Sequence, residues 1–195
     1  MTGGIAAGKS AVAAMLRELG AKIINADDLA REIVRPDREA WKEIVAAFGA
    51  EILRDDRAID REKLRKIIFQ NHQARERLES ITHPRIRALA QLTAQKLAAE
   101  GAEIIVYEAP LLFENQAHLW VRPVILVACD AAIQRRRLRD RDGLTDKEID
   151  QHLKAQMDLE EKRKLADFII ENNGDLEELR RQVREVWQKI VNSES

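Results

Sequence analysis

Hydrophobic and polar positions follow two different patterns along this chain. Four short segments, at 21–25, 103–107, 124–128 and 168–171, are continuous apolar runs rich in Ile and Val. Strands buried on both faces of a sheet show such runs, whereas the intervening segments repeat apolar residues every three or four positions, as amphipathic helices do. The alternation predicts an α/β fold, with a parallel sheet of about five strands and helices on both faces.

Residues 34–100 show helical patterns only. One helix is expected to end at Gly49, and Asp60 is expected to be the N-cap of the next one. A simple crossover between two strands does not need this much chain. We therefore expect a helical subdomain inserted into the α/β core. Further along, Thr145 and Glu148 have the spacing of a capping box.

The composition narrows the possible functions. The chain has 195 residues, enough for one domain with a modest insertion. Its 33 basic and 34 acidic residues nearly cancel, which argues against a dedicated nucleic-acid binder. The single cysteine, Cys129, lies in an apolar run and is expected to be a small buried residue rather than a nucleophile. The cysteine and the four histidines do not have the spacing of zinc ligands.

The sequence also bears on location. No apolar run approaches the roughly 20 residues that a membrane span needs, and no signal-peptide pattern is visible. We therefore expect a cytoplasmic protein with no membrane and no nucleic-acid partner, present as a monomer or a weak homo-oligomer.

The N-terminal stretch MTGGIAAGKS contains the pattern G-x-x-x-x-G-K-[ST] from Gly3 to Ser10. Glycines allow the backbone N–H groups to surround a phosphate, and the helix that follows directs its positive end at the same anion. Lys9 can bridge the β- and γ-phosphates of ATP, and the Ser10 hydroxyl can bind Mg²⁺. The alternative is a flexible glycine-rich terminus. Only Met1 and Thr2 precede the loop, so the strand that normally supports it is expected to be almost missing.

The predicted ATP contacts in this loop are Gly4, Ile5, Ala6, Ala7, Gly8, Lys9, Ser10 and Ala11.

A second motif, NADDLAR at 25–31, follows the apolar run at 21–25. Carboxylates at the carboxyl end of a strand lie where ligands bind in open α/β sheets. In a kinase, such a carboxylate can accept the proton of the acceptor hydroxyl. Alternatively, Asp27 or Asp28 simply caps the next helix.

Taken together, the motifs resemble one family, the dephospho-CoA kinases. That family has TGGIGSGKS where this chain has TGGIAAGKS (2–10), and D-A-D-x-x-A-R where it has NADDLAR (25–31). Further matches follow in the same order: FG (48–49), DREKLR (60–65), HPRI (83–86), APLLFEN (109–115), QRRRLRDRDGLT (134–145), AQ (155–156), EEKRKLAD (160–167) and NNG (172–174). The resemblance covers nearly the whole chain.

The resemblance implies an activity and an architecture. The activity is ATP-dependent phosphorylation of the ribose 3′-hydroxyl of dephospho-CoA, the last step of CoA synthesis, with Mg²⁺ as cofactor. The architecture is a single P-loop kinase domain over 1–195, with an acceptor-binding helical subdomain at 34–100 and a mobile lid at 134–162.

An arginine-rich segment lies inside the expected lid. Arg137 and Arg141 are four residues apart and share one face of a predicted helix. Such a pair can offset charge on the transferred phosphoryl group, and the resemblance places the lid arginines at these positions. Gly143 is a possible hinge. The alternatives are a solvated charged face and a nucleic-acid patch, although no aromatic residues interleave to stack bases.

The remaining site predictions rest on the resemblance. Asp27 is expected to be the catalytic base, with Lys9, Arg137 and Arg141 as the other catalytic residues. The expected acceptor contacts are Asp27, Arg31, His83, Leu111 and Phe113. Asn173 and Gly174 are expected near the ATP adenine, although a plain turn also explains them. Ser10 and Glu108 are the expected metal ligands. A simpler interpretation of HPRI places His83 at the N-cap of a helix and Pro84 at its first position.

This chain departs from the family pattern at several positions. Asn25 replaces the first Asp of D-A-D and therefore cannot be a general base. Ala6 and Ala7 stand where the family has Gly and Ser, and alanine disfavours a positive φ. Glu108 replaces an Asp that is frequent in the family. Two other functions therefore stay open: a non-catalytic or regulatory ATP-binding module, and a P-loop kinase for another small hydroxyl acceptor.

Overall fold

The computed structural model describes residues 1–193, which form two compact units. One unit consists of residues 1–23 and 101–193, and the other of Ile24–Glu100. In chain order the elements are β1 (Thr2–Gly3), α1 (Lys9–Glu18), β2 (Lys22–Asn25), α2 (Ala26–Ile33), α3 (Glu39–Phe48), α4 (Arg61–Gln70), α5 (His72–Ala99), β3 (Ile105–Glu108), β4 (Ile125–Ala128), α6 (Ala131–Asp142), α7 (Asp146–Lys154), α8 (Leu159–Leu165), β5 (Phe168–Glu171) and α9 (Leu176–Ser193). Short 3₁₀ helices cover Ala50–Ile52 and Ala117–Leu119.

The strands confirm the α/β class, but the predicted strand count of the sheet was wrong. A parallel sheet of three strands has the order β1-β4-β5, with Thr2 opposite Leu126 and Leu126 opposite Ile169. β2 and β3 form a second sheet of two strands. The strand before the loop exists, although β1 has only two residues. A strand this short offers few main-chain groups for pairing on either side, and the ladder therefore breaks between β1 and β3.

The main chain of Met1 continues the pairing where the ladder breaks. Its nitrogen donates to the Tyr107 carbonyl at 2.7 Å, and its carbonyl accepts from the Ala109 N–H at 3.0 Å. β1 therefore lies between β3 and β4, and its carboxyl end meets the loop at 4–8.

The core of the first unit lies between the three-stranded sheet and two helices. Leu16 of α1, Val127 of β4 and Ile170 of β5 are fully buried, and Val183 of α9 packs in the same cluster. Cys129 is buried there too, as predicted from its apolar run. Burial of the stripe on α1 fixes the direction of that helix, and with it the position of the preceding loop.

The second unit is built mainly from helices α2 to α5. Ile44, Ile52 and Ile81 form its core with Trp41. The predicted helix end at Gly49 and the predicted N-cap Asp60 are both confirmed: Gly49 has φ 86°, and the Asp60 carboxylate accepts from two N–H groups of α4. In the first unit, the capping box of Thr145 and Glu148 is confirmed as well.

The prediction of a helix start at His83 and Pro84 was wrong. α5 runs unbroken through Pro84, and its N-cap is Asn71, whose side chain accepts from the Ala74 N–H at 3.1 Å. Proline removes one hydrogen bond inside a helix and disfavours the preceding turn. Contacts of α5 with α2, α3 and α4 outweigh this local preference, and the Arg85 guanidinium donates to the Ile81 carbonyl at 2.7 Å.

No helix within residues 1–193 is long and apolar enough to cross a membrane.

Truncation of the core residue Leu16 tests this packing. We expect Leu16→Ala to lower the free energy of unfolding by about 2–5 kcal/mol, because the side chain is fully buried and its loss leaves a cavity. Urea denaturation of both proteins gives the difference. Leu119→Ala in the same unit is the control, since Leu119 is 72% exposed and its loss should change stability by about 0.5 kcal/mol or less. Equal losses in the two variants would contradict the description of the core.

Candidate active site

The loop at 4–8 joins the carboxyl end of β1 to the start of α1. Two of its residues, Ala6 with φ 56° and Gly8 with φ 96°, have left-handed backbone conformations. Gly8 is the N-cap of α1, and no side chain of the described residues caps this helix. The first N–H groups of a helix have no acceptor inside the helix, so an anion can accept hydrogen bonds from them.

Three side chains from distant parts of the chain donate to the carbonyls of this loop. Gln134 Nε2 donates to the Ile5 carbonyl at 2.8 Å, and Asn172 Nδ2 donates to the Ala7 carbonyl at 2.7 Å. Arg137 donates to the carbonyl that lies between them, at 3.2 Å. In a trans peptide the C=O and the N–H point in opposite directions. Fixing the carbonyls of Ile5 and Ala7 therefore directs the N–H groups of Ala6 and Gly8 the other way.

Two further side chains, Gln156 and Lys9, hold the beginning of the loop. The Ile5 N–H donates to Gln156 Oε1 at 2.9 Å. Lys9 Nζ donates to the carbonyls of Gly3 and Gly4, at 2.9 and 3.1 Å. Polar side chains from elsewhere in the chain therefore bind the main chain of the loop at several residues. The shape of the loop does not depend on its glycines alone.

The loop opens onto a cavity of about 760 Å³, a size within the usual range of ligand sites. Its lining combines the loop, the arginines of α6 and the segment after β5. The lining residues are Ile5, Ala6, Gly8, Lys9, Ser10, Ala11, Pro110, Arg137, Asp140, Arg141, Gln156, Asn172, Gly174, Asp175, Leu176 and Leu179. The lining includes three cations, Lys9, Arg137 and Arg141, together with apolar residues such as Leu176 and Leu179, which suits an anion attached to an apolar body.

The two predicted lid arginines have different surroundings. Arg137 is half-buried, and besides the loop carbonyl it donates to the Asn172 carbonyl at 3.2 Å. Arg141 is exposed and forms a bidentate salt bridge with the Asp142 carboxylate, with N–O distances of 2.8 and 2.7 Å. This hydrogen-bonded pair raises the pKa of Arg141 and lowers the pKa of Asp142. A guanidinium has five N–H donors, so Arg137 can hold the loop and still reach a phosphate.

The Cys129 thiol lies beside Arg137, with Sγ and the guanidinium 3.5 Å apart. Burial raises the pKa of the Cys129 thiol, although the charge of Arg137 acts in the opposite direction. A thiol with a raised pKa is a poor nucleophile at neutral pH. Cys129 therefore has the character expected of a packing residue.

Asn172, Gln134 and Gln156 were not predicted as site residues. Asn173, which was predicted, makes a reciprocal pair with Asp130 at 2.8 and 2.9 Å, and its contact with ATP stays a prediction. One signal for Gln134 is present in the sequence: it stands four residues before Leu138 on the buried stripe of α6. A polar residue at an apolar position of a helix needs a polar partner, and here the loop supplies it.

In the second unit, Asn25 is the N-cap of α2. Its Oδ1 accepts from the N–H groups of Asp27 and Asp28, at 2.8 and 3.3 Å. The interpretation of either aspartate as the cap was therefore wrong. The Asp27 carboxylate is exposed in the first turn of α2, and Asp28 pairs with Arg31 at 3.1 Å. Asparagine at position 25 keeps the helix start that an aspartate would give, because both have a side-chain oxygen acceptor.

The remaining residues that were predicted to contact the metal or the acceptor differ in their solvent exposure. Glu108, at the carboxyl end of β3, is 7% exposed, and Leu111 is 38% exposed. Phe113 is buried and packs against the His118 ring, with 5.5 Å between the ring centres. His83 is half-buried within α5. The ligand contacts of these residues stay predictions. Residues 1–193 contain no group of three or more His, Cys, Asp or Glu side chains that could hold a metal ion by themselves.

A G-x-x-x-x-G-K-S loop between a parallel strand and a helix, opening onto a cavity lined by cations, defines a P-loop nucleotide-binding protein, a class that includes many kinases. Comparison with known proteins narrows the class. The model of the CoaE dephospho-CoA kinase family matches residues 1–178. A dephospho-CoA kinase of Geobacter sulfurreducens is 50% identical over 97% of this chain and 96% of the relative. That of Geobacillus kaustophilus is 46% identical, over 94% and 91%.

Solved structures agree with this assignment. The protein TT1252 from Thermus thermophilus has a TM-score of 0.81 and 34% identity, covering 96% of this chain and 94% of the other. Dephospho-CoA kinase from Campylobacter jejuni has a TM-score of 0.73 and 33% identity, covering 100% and 96%. This chain belongs to the dephospho-CoA kinase family.

Gly8 provides a test of the loop. A Cβ at position 8 would collide with Asn172 Nδ2, and the positive φ adds backbone strain. We expect Gly8→Ala to raise the Kd for ATP by at least about tenfold, measured by equilibrium titration. Gly20→Ala is the matched control: Gly20 has φ 109°, but no described atom lies within 4 Å of an added Cβ. The control should lose stability and keep its affinity, and an equal affinity loss in both variants would contradict this account.

Proposed function

We propose that this protein transfers the γ-phosphate of ATP to the ribose 3′-hydroxyl of dephospho-CoA, giving CoA and ADP. Membership of the kinase family supports this, and one observation in the structure carries it. The loop at 4–8 is anchored by Gln134, Arg137 and Asn172 through its carbonyls, which leaves N–H groups of the same peptides directed the opposite way. An arrangement of this kind suits the charged oxygens of a polyphosphate.

On the donor side, the phosphates bind to the backbone at Gly4–Ala11 and to Lys9. The Lys9 ammonium, which donates to the carbonyls of Gly3 and Gly4, exchanges these for oxygens of the β- and γ-phosphates when ATP binds. Asn173 and Gly174 contact the adenine.

Mg²⁺ accompanies ATP in this proposal. Mg²⁺ keeps several waters and binds through one or two protein oxygens together with substrate phosphates, rather than in an all-protein cage. Ser10, which lines the cavity, and Glu108, a buried carboxylate, fit such a donor set. When bound, Mg²⁺ neutralises negative charge on the phosphate oxygens.

On the acceptor side, Asp27 accepts the proton of the 3′-hydroxyl as it attacks the γ-phosphorus. Its carboxylate is exposed and belongs to the motif position that the family retains, whereas Asn25 caps α2 and has no carboxyl group. Arg31, His83, Leu111 and Phe113 complete the acceptor site.

Two arginines stabilise the transferred group. Arg137, already fixed on the loop, and Arg141, released from Asp142, donate to the phosphoryl oxygens as the lid at 134–162 closes. We further propose that the protein is cytoplasmic, acts as a monomer or a weak homo-oligomer, and has neither membrane nor nucleic acid as a partner.

The test is product formation. The protein is incubated with Mg·ATP and dephospho-CoA, ADP release is followed, and the product is identified by mass and by the position of its new phosphate. We expect CoA phosphorylated at the 3′-hydroxyl. A panel of adenosine, shikimate and nucleoside monophosphates covers the alternative kinase, and turnover of one of these instead of dephospho-CoA would overturn the proposal. ATP binding with no phosphoryl transfer to any acceptor would instead favour a regulatory module.

Asp27→Asn tests the base. We expect kcat to fall by about 10²–10⁴-fold, because the amide cannot take up the proton, while the Kd for ATP stays nearly unchanged. Asp28→Asn is the matched control at the next position, and its kcat should stay within about threefold of the wild type. If Asp27→Asn stays within about tenfold in kcat, a barrier change of only ~1.4 kcal/mol, Asp27 is not the base.

A further inference from the structure

A buried ion pair lies in the first unit, apart from the residues assigned to phosphate or acceptor. Lys162 of α8 and Glu114, in the segment after β3, bring Nζ and Oε1 to 2.9 Å, with side-chain exposures of only 2% and 18%. Two buried atoms of this pair, Lys162 Nζ and Glu114 Oε2, each lack a well-aligned hydrogen-bond partner among residues 1–193. Charges are costly to bury, and apolar residues of similar size often pack as well. A role in stability alone therefore explains this pair poorly.

The pair is connected to the phosphate loop through two hydrogen bonds and the peptide bond between Gln156 and Met157. Glu114 Oε1 also accepts the N–H of Met157, at 2.9 Å. Met157 directly follows Gln156, and Gln156 Oε1 accepts the N–H of Ile5 in the loop, at 2.9 Å. Lys162, Glu114, Met157 and Gln156 thus form a continuous polar connection to Ile5. Gln134 holds the carbonyl of the same loop residue, so the peptide groups on both sides of Ile5 are fixed.

We propose that Glu114 is a positioning residue for ATP binding and that Lys162 is its counter-ion, needed only while the side chain at position 114 carries a charge. Neither lines the cavity, so neither is expected to touch the nucleotide. Glu114 fixes the backbone at 156–157, Gln156 then fixes Ile5, and the following loop N–H groups meet the phosphates in a preformed geometry. Lys162 keeps the carboxylate ionised and correctly turned, which strengthens its hydrogen bond to Met157.

The ionisation of Glu114 is consistent with this role. Burial alone would raise its pKa, but the Lys162 ammonium and the Met157 N–H together lower the pKa of Glu114 below its ordinary value. A lowered folded-state pKa means that the pair contributes stability above the unfolded pKa of the carboxyl group, and that this stability is lost as the pH falls through the folded pKa. At neutral pH the carboxylate is therefore a permanent acceptor.

Two double variants separate positioning from stability. E114Q/K162M and E114L/K162M both remove the two charges together, which avoids leaving one charge buried alone. Only glutamine keeps an oxygen that can accept the Met157 N–H. We expect E114L/K162M to raise the Kd and the KM for ATP by about tenfold over E114Q/K162M, with KM for dephospho-CoA equal in the two. E114Q/K162M should stay within about threefold of the wild type in ATP affinity.

A matched control is present at the opposite end of the sheet. Asp167 accepts from Arg122 at 2.6 Å and from the Val124 N–H at 2.7 Å, at the amino ends of β4 and β5. R122M/D167L removes the same kind of carboxylate contact far from the loop. It should lower the thermal midpoint and leave the Kd for ATP within about twofold of the wild type.

The Kd values are measured without acceptor, at a temperature where circular dichroism shows the variants folded. Equal ATP affinity in the two Glu114 variants, or an equal affinity loss in the control, would overturn the proposal. Q156L covers the case in which E114L/K162M does not fold, since it breaks the contact to Ile5 and leaves the buried ion pair in place. A Kd for Q156L within about twofold of the wild type would also overturn the proposal.

The inference rests on the proposed function only in taking ATP as the ligand of the loop. Wild-type protein that binds ATP but makes no CoA would contradict the proposed function, while the Kd values would still decide the role of Glu114. Wild-type protein that does not bind ATP would overturn both.

Discussion

A loop that offers its N–H groups to phosphate must turn the carbonyls of the same peptides away, and buried carbonyls need donors. In this protein the side-chain amides of Gln134 and Asn172 supply two of these hydrogen bonds, and Arg137 supplies a third. Much of the first unit follows from this requirement. α6 must bring Gln134 and Arg137 within hydrogen-bond distance of the loop, and β5 must end where Asn172 can reach it. The segment after α7 must lie close enough for Gln156 to accept the Ile5 N–H.

The same contacts explain how alanines can stand where the family has Gly and Ser in this loop. Ala6 has a left-handed backbone, which is unfavourable for any residue with a Cβ. The guanidinium of Arg137 holds its carbonyl in that conformation. In the second unit, Asn25 lacks the charge of the aspartate in the family pattern, but its side chain still caps α2. The neighbouring Asp27 is exposed. These departures from the family pattern therefore leave the local geometry intact.

Short-range patterns in the sequence were sufficient for many elements. The apolar runs identified four strands, and Asp60, Gly49 and Thr145 marked helix ends correctly because capping depends on residues a few positions apart. Long-range effects were not accessible in this way. The unbroken α5 depends on packing around Pro84, and the division into two sheets depends on the length of β1. The loop contact of Asn172 was not predicted, because which of two adjacent amides faces the loop depends on how β5 ends.

The most direct test of this account is a crystal structure of the protein with a non-hydrolysable ATP analogue and dephospho-CoA. We expect β-phosphate oxygens at about 2.7–3.2 Å from the N–H nitrogens of Ala6 and Gly8, with the contacts of Gln134 and Asn172 to the loop retained. We also expect the acceptor 3′-oxygen within hydrogen-bond distance of the Asp27 carboxylate. A triphosphate bound outside the loop, or a loop rebuilt with both amide contacts broken, would contradict it.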